Sequence, residues 1–167
     1  HASVQYDLDD ILHRRASETG CFRGLLEQRT LLGLIFICSD ATLDECLGKS
    51  LFGFGLKDRH LLQHCGARSS GSVVLFLYNY SKQQLHGVFA PDGPPGFPLD
   101  GRAWQRDPRQ GTPYPAQIRV RRLLPRIEPL SDGRFSTILT YTSKYKFSNR
   151  LNGCQVHQLL RQFLTMG

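Results

Sequence analysis

The residues whose close spacing suits metal or nucleophile chemistry are His60, His64 and Cys65, in the run HLLQHC. On an α-helix, residues four apart share a face, so the two imidazoles have the spacing to share a metal ion. The run lacks the glutamate of a zinc-hydrolase motif, and Cys65 falls on a different face from His60. Surface or half-buried histidines are the simpler reading. A Cys–His nucleophile would need a third group to orient the base, and nothing in the sequence positions one. There is no G-x-x-x-x-G-K-[ST] phosphate loop and no G-x-S-x-G elbow, and Gly53-x-Gly55 lacks the third glycine of a dinucleotide fingerprint. The expectation is a protein that is not an enzyme, with no metal and no cofactor.

The arginines carry a different chemistry. Net charge is +7, but the first hundred residues hold nine Lys and Arg against eleven acids, whereas residues 101–150 hold eleven against three. Arg119 and Arg121 alternate with Ile118 and Val120, so they share one face of a strand. Arg102, Arg106, Arg109, Arg122 and Arg126 lie close by in sequence. Guanidinium forks suit phosphate oxygens and stack on bases, so segment 101–126 is the expected contact for RNA or another polyanion. The competing reading is that acids of the first hundred residues neutralise Arg119 and Arg121. Aromatic residues form the third group. In VVLFLYNY, alternation sets Phe76, Tyr78 and Tyr80 on one side and Leu75, Leu77 and Asn79 on the other. Such a row either packs beneath a helix or serves as a stacking platform. Trp104, the single tryptophan, sits in a long loop, where it either meets a partner or plugs the core.

These residues must be held by elements the sequence also specifies. LLGLIFIC (Leu31–Cys38) reads as a buried strand. Asp40 or Thr42 can cap a following helix over Leu43–Leu51, with Asp44 and Glu45 in its first turn. Residues 57–65 form a short helix. Val73–Tyr80 and Leu85–Ala90 make an antiparallel hairpin. Residues 91–115 are a long loop, with seven prolines and glycines before Arg102. Gln117–Leu124 is a strand, and Phe135–Thr142 is ambiguous between strand and helix. Val156, Leu159, Leu160 and Phe163 form the stripe of a closing helix. Residues 5–15 suggest a helix with acids at its start and bases at its end. One domain over 31–167, preceded by a helical extension over 1–30, fits the length. With 40% hydrophobic and 21% charged residues the chain is globular in composition. No apolar run approaches the ~20 residues of a bilayer span, so membrane insertion is not expected. The five cysteines are odd in number and scattered, which points to an intracellular, reducing compartment. The mixed order of elements implies an α+β fold.

The combination of GLIFIC (Gly33–Cys38), LFG (Leu51–Gly53), LFLYNY (Leu75–Tyr80), QLHGVFA (Gln84–Ala90), Ala103-Trp104 and PAQIRVR (Pro115–Arg121) resembles the Development and Cell Death (DCD) domain family of plants, over about Leu32 to Leu164. One corner departs: the family's Phe-Gly-Leu-Pro is Phe52-Gly53-Phe54-Gly55 here. A fold-level similarity extends to the PUA-like folds, including YTH and EVE domains. The resemblance implies a small, mainly antiparallel β-barrel flanked by helices. It also implies a non-catalytic interaction module linked to development, stress response and programmed cell death, with protein partners. By analogy with PUA-like readers, Ser39, Asp40 and Cys38 would line a small concave site, with Phe52 nearby. YTH readers hold a methylated base with tryptophans. One tryptophan cannot build that cage, which speaks against a methyl-adenine reader.

The binding residues expected on these grounds are Arg102, Trp104, Arg119, Arg121, Arg122, Tyr78, Tyr80, Ser39, Asp40 and Phe52. The alternatives to a protein-interaction module are an RNA-binding module using the arginine and aromatic surface, and a structural subunit of a larger, organellar assembly. The last is motivated by a sequence that opens at His1, with the helix at 5–15 as docking element.

Overall fold

The computed structural model describes residues 31–66, 72–124 and 128–165. The expected extension over 1–30 and Arg126 lie outside them. The elements in chain order are β1 (Leu32–Cys38), α1 (Leu43–Lys49), β2 (Leu51–Phe54), a 3-10 helix (Leu56–Cys65), β3 (Val73–Asn79), β4 (Gln84–Pro91), β5 (Ala116–Arg122), β6 (Leu130–Ser131), α2 (Asp132–Phe135), β7 (Arg150–Leu151) and α3 (Gly153–Thr165). Among the described residues, no helix is long and apolar enough to cross a membrane.

The strands form one mixed sheet in the order β2-β5-β4-β3-β1-β7, with β6 on β4. Among the described strands, only β1 and β3 run parallel, paired from Leu32↔Val73 to Cys38↔Asn79. The hairpin of β3 and β4 forms as its apolar alternation requires, with a register shift between Leu75 and Leu77. The α+β class and the antiparallel majority hold. The barrel does not: the sheet is open, with β2 at one edge and the two-residue β7 at the other. The physical reason lies in β3. Six of its seven residues are buried, and the five apolar ones among them feed two separate cores. Val74 and Phe76 join α3 on one face, and Val73, Leu75 and Leu77 join α1 and the 3-10 helix on the other. A small barrel has a filled inside and one outside. Here both faces of the central strands are covered, so nothing drives closure.

Helix α3 seals the first face. Its stripe of Val156, Leu159, Leu160 and Phe163 is buried as its 3.6-residue period predicts. Phe163 stacks on Phe76 at 5.9 Å between ring centroids. This approach needs Gly87, where a Cβ would lie 2.8 Å from the Phe163 ring. Phe36, Phe52, Phe54 and Phe89 form the aromatic centre of the second face, Phe36 and Phe54 stacked at 4.1 Å. Helix α1 is shorter than the predicted Leu43–Leu51. It ends at Ser50, whose φ of 51° is left-handed, and Leu51 already belongs to β2.

Candidate interaction surface

The HLLQHC run forms a 3-10 helix, not an α-helix. At about three residues per turn, positions four apart point about 120° away from each other. The shared face assumed for His60 and His64 is therefore not made. Burial pushes the Cys65 thiol up to about 11. It also pushes Cys38 to about 12 and Cys46 to about 11, so these thiols stay protonated at neutral pH.

Asp40 is not the helix cap. The N-cap is Thr42, whose side chain makes no capping bond and instead accepts the Ser39 N–H at 3.1 Å. Asp40 is instead part of a polar corner with Asn79 and Ser81. Its Oδ1 accepts from Asn79 Nδ2 at 2.8 Å, Asn79 Oδ1 accepts the Ser81 N–H, and Ser81 Oγ accepts the Asp40 N–H. This closed ring satisfies the buried Asn79 and ties the β1–α1 turn to the β3–β4 turn. Asp40, Asn79 and Ser81 thus act together, as a brace for the turn carrying Tyr80, while Ser39 is bonded to Thr42.

Trp104 is buried and has a left-handed φ of 54°. Three contacts hold it. Its backbone N–H donates to Glu45 Oε2 at 2.7 Å. Lys49 Nζ lies 3.0 Å from both Glu45 Oε2 and Asp100 Oδ2, pinning the loop to α1. Its ring lies over Gly53, where a Cβ would come within 2.9 Å of Trp104 and of the Tyr114 carbonyl. The indole Nε1 meets no hydrogen-bond partner among the described residues. The Cys46 sulfur is close enough for the indole N–H to draw the thiol's pKa down, against the larger effect of burial, though the pair falls short of hydrogen-bond geometry. A cavity of about 10 Å³ beside Trp104, also bordered by Ile37, Thr42 and Tyr114, has room for about one water. Cys38, Ser39, Asp40 and Phe52 do not line it. Phe52 is fully buried and borders a second small cavity, of about 20 Å³, with Phe89 and Arg122.

Sequence reasoning missed Gln117. Although it sits in the strand of alternating arginines, it is fully buried. Its Oε1 accepts the N–H groups of Leu99 and Asp100 at 2.8 and 2.7 Å, and its Nε2 donates to the Asp100 carbonyl at 2.9 Å. It is the anchor of the long loop that carries Trp104.

The arginines sit on an interior strand. Strand β5 is bonded on one side to β2, with Leu51 opposite Arg119, and on the other to β4, with Ala90 opposite Arg121 and Phe89 opposite Arg122. Arg119, Arg121 and Arg122 are exposed. Arg122 also lies over the Phe89 ring at 5.1 Å. Arg119 donates to the Lys49 carbonyl at 3.4 Å. Among the described residues, no carboxylate pairs with any of the three; the ion pairs found there are those of Lys49 and a local one between Arg109 and Asp107. Arg102 and Arg106 are exposed in the loop.

A much larger concavity lies elsewhere among the described residues. A groove of about 560 Å³ runs between the β3–β4 turn and the segment 141–147. Tyr78 and Tyr80 come from the hairpin, and Tyr141 and Tyr145 from the facing segment. That segment is closed by the Tyr141↔Phe147 bridge, by Thr142 N–H to Lys146 O at 2.8 Å and by Ser148 N–H to Thr140 O at 2.8 Å. Phe147 is the hub: Tyr78 meets it edge-on at 5.1 Å and Tyr141 at 5.9 Å, and Tyr78 also abuts Phe135 at 5.7 Å. Tyr80 and Tyr145 stand out, 59% and 78% exposed. Asp132, Gln83 and Ser136 add polar groups, and Lys144 lies over the Tyr145 ring. Burial first, and Asp132 second, raise the Tyr78 and Tyr141 phenols, so both remain protonated donors. The predicted aromatic row is therefore divided: Phe76 packs beneath α3, Tyr78 is half-buried, and Tyr80 faces solvent. Tyr141 and Tyr145 were not singled out, although YTSKYKF alternates aromatic and basic residues at a turn.

The family model for the Development and cell death domain matches residues 32–163, nearly all of the described chain. The chain belongs to the DCD family. The B2 protein of Daucus carota is 37% identical over 142 residues, 83% of this chain and 65% of that protein. The DCD domain-containing protein NRP-B of Glycine max is 36% identical over the same length, 41% of that protein. The DCD chain thus spans less than two thirds of these plant relatives. Its fold is also that of solved YTH domains. The Pho92 YTH domain in complex with m6A superposes with a TM-score of 0.64 at 14% identity, covering 82% of this chain and 85% of that one. The YTH domain of Zygosaccharomyces rouxii MRB1, in complex with N6-methyladenosine RNA, gives 0.60 at 11%, covering 82% and 89%. At these identities the likeness extends to fold alone.

Proposed function

We propose that this DCD domain is a non-catalytic interaction module that docks a protein partner in the tyrosine groove. The observation that carries this reading is the contrast between that groove and the two small cavities. Those beside Trp104 and Phe52 measure about 10 and 20 Å³, too small for a substrate, whereas the groove is open, about 560 Å³, and lined by tyrosines. Tyrosines supply large, rigid contact area with few torsions to fix, and they are enriched where proteins dock. Tyr78 and Tyr141 are already locked around Phe147, so little ordering remains to be done on binding. The test is affinity capture from plant extract by the wild-type domain and by a Tyr141→Ala, Tyr145→Ala double variant. Specific partners are expected with the wild type and lost with a variant of unchanged thermal stability. Equal capture by both rules the groove out.

A second reading, RNA binding along β5, is favoured by one observation: Arg119, Arg121 and Arg122 are exposed and unneutralised among the described residues. Solved YTH domains that share this fold hold m6A in one case and N6-methyladenosine RNA in another, which supports the same direction. Titration with single-stranded RNA should give a log–log salt slope of about −0.7 per phosphate contact. Binding should vanish in Arg119→Glu, Arg121→Glu. No binding at low salt ends this reading.

A further inference from the structure

We infer that the tyrosine groove receives a proline-rich segment in the extended polyproline conformation, with a basic residue of that segment placed against Asp132. The inference rests on the docking reading above and names the chemistry of its partner.

The argument starts from what the groove lacks. Its hairpin wall offers no free strand edge, because Tyr78 belongs to β3, which is bonded to both β1 and β4. A partner cannot add there as another strand. What the groove presents is a set of ring faces and edges, with protonated hydroxyls on Tyr78 and Tyr141. A polyproline helix complements this set. Its backbone makes no internal hydrogen bonds, its carbonyls remain free to accept from phenols, and its pyrrolidine rings are apolar surfaces that pack on aromatic faces. It is also pre-ordered, so a shallow groove can hold it with little entropy lost.

Charge separates this partner from a nucleic-acid strand. Asp132 borders the groove, close enough to Tyr78 and Tyr141 to disfavour loss of their phenolic protons. No cation pairs with it among the described residues; Lys144, which also lines the groove, keeps its charge and lies over the Tyr145 ring. A phosphate chain laid over these rings would meet that carboxylate, while a lysine or arginine beside the prolines would be drawn to it. The arginines that suit phosphate lie on β5, outside this groove.

The test uses labelled peptides. The probe is a ten-proline peptide headed by arginine. The controls are ten prolines without arginine, an arginine-headed Gly-Ser peptide of equal length, and a ten-nucleotide oligouridylate. The arginine–proline probe should bind saturably, and the Gly-Ser peptide at least about tenfold more weakly. Tyr145→Ala, truncating a residue that is 78% exposed, should weaken the probe by about fivefold with thermal stability unchanged. Asp132→Asn should erase the advantage of the arginine-headed probe over plain polyproline. No binding of either proline peptide at millimolar concentration overturns the inference, as does binding indifferent to Tyr145→Ala. So does oligouridylate binding that Tyr145→Ala abolishes. If the proline peptides fail while the double tyrosine variant still loses captured proteins, the polyproline chemistry falls and the docking surface stands. If both fail, both fall.

Discussion

Glu45 on helix α1 accepts the backbone N–H of Trp104 at 2.7 Å, across a sequence separation of 59 residues. That bond joins the Lys49–Asp100 ion pair in holding the long loop to α1, while Gln117 anchors it to the sheet. Glu45→Ala removes the acceptor and leaves a half-buried N–H unmet, which should cost about 1–3 kcal/mol. Glu45→Gln keeps an acceptor and should cost less. Because Trp104 is the only tryptophan, its fluorescence reports the change directly. The expected outcome is a lower melting temperature together with red-shifted emission in the alanine variant, and a smaller shift in the glutamine variant.

Gly53 lets the Trp104 ring lie directly on strand β2. A Cβ there would come within 2.9 Å of the ring and of the Tyr114 carbonyl, and the carbonyl belongs to the backbone and cannot rotate away. Gly53→Ala should therefore destabilise by about 1–3 kcal/mol, as overpacking does. Gly48→Ala is the control: no atom lies within 4 Å of a Cβ at Gly48, and in the exposed α1 interior alanine should stabilise by up to about 1 kcal/mol. Chemical denaturation of the two variants should show opposite signs.

Gln117 makes three hydrogen bonds to the backbone of Leu99 and Asp100. Gln117→Leu fills a similar volume but strands two backbone N–H groups and a carbonyl. The loss should be about 2–4 kcal/mol, the upper part of the ordinary range for a single change. Hydrogen exchange should then speed up selectively at Leu99 and Asp100.

His86, opposite Leu77 in the hairpin ladder, has an Nε2 with no partner. Burial first, then Arg122 and Lys82, hold its pKa below the ordinary histidine value. Between that depressed value and about 6.5, the unfolded chain binds a proton that the folded chain refuses, so stability falls as pH drops. His64 is shifted in the same direction by burial, with Arg150 and His60 adding to it. The melting temperature should therefore decline from pH 7 toward pH 5, and His86→Gln should remove part of that decline. A wild-type profile flat over this range would contradict the assignment.

Much of the fold was legible because it is written in local periods. The β3–β4 hairpin follows from VVLFLYNY and its turn, and α3 from the spacing of Val156, Leu159, Leu160 and Phe163. Closure of the sheet was not legible. A run such as LLGLIFIC shows that a strand is buried, but not whether on one face or two, and the open sheet depends on the second core. The 3-10 winding of residues 56–65 was hidden for a related reason, since HLLQHC has no period that separates three from 3.6 residues per turn. At the surface, the exposed arginines of β5 could be read by alternation, and Gln117 escaped by the same rule, because it occupies a polar position of the alternation while being buried to hold a loop. The groove escaped because its two walls, Tyr80 and Tyr145, are brought together only by the tertiary packing around Phe147.

Strand β5 is bonded on both flanks, and this makes its cationic row a ruler of fixed pitch. Two residues of strand separate Arg119 from Arg121 by about 6.6–6.8 Å, with Arg119 paired to β2 and Arg121 to β4. Any polyanion engaging that row must adjust its own spacing to the protein, and its stiffness, more than its total charge, would set how well it binds.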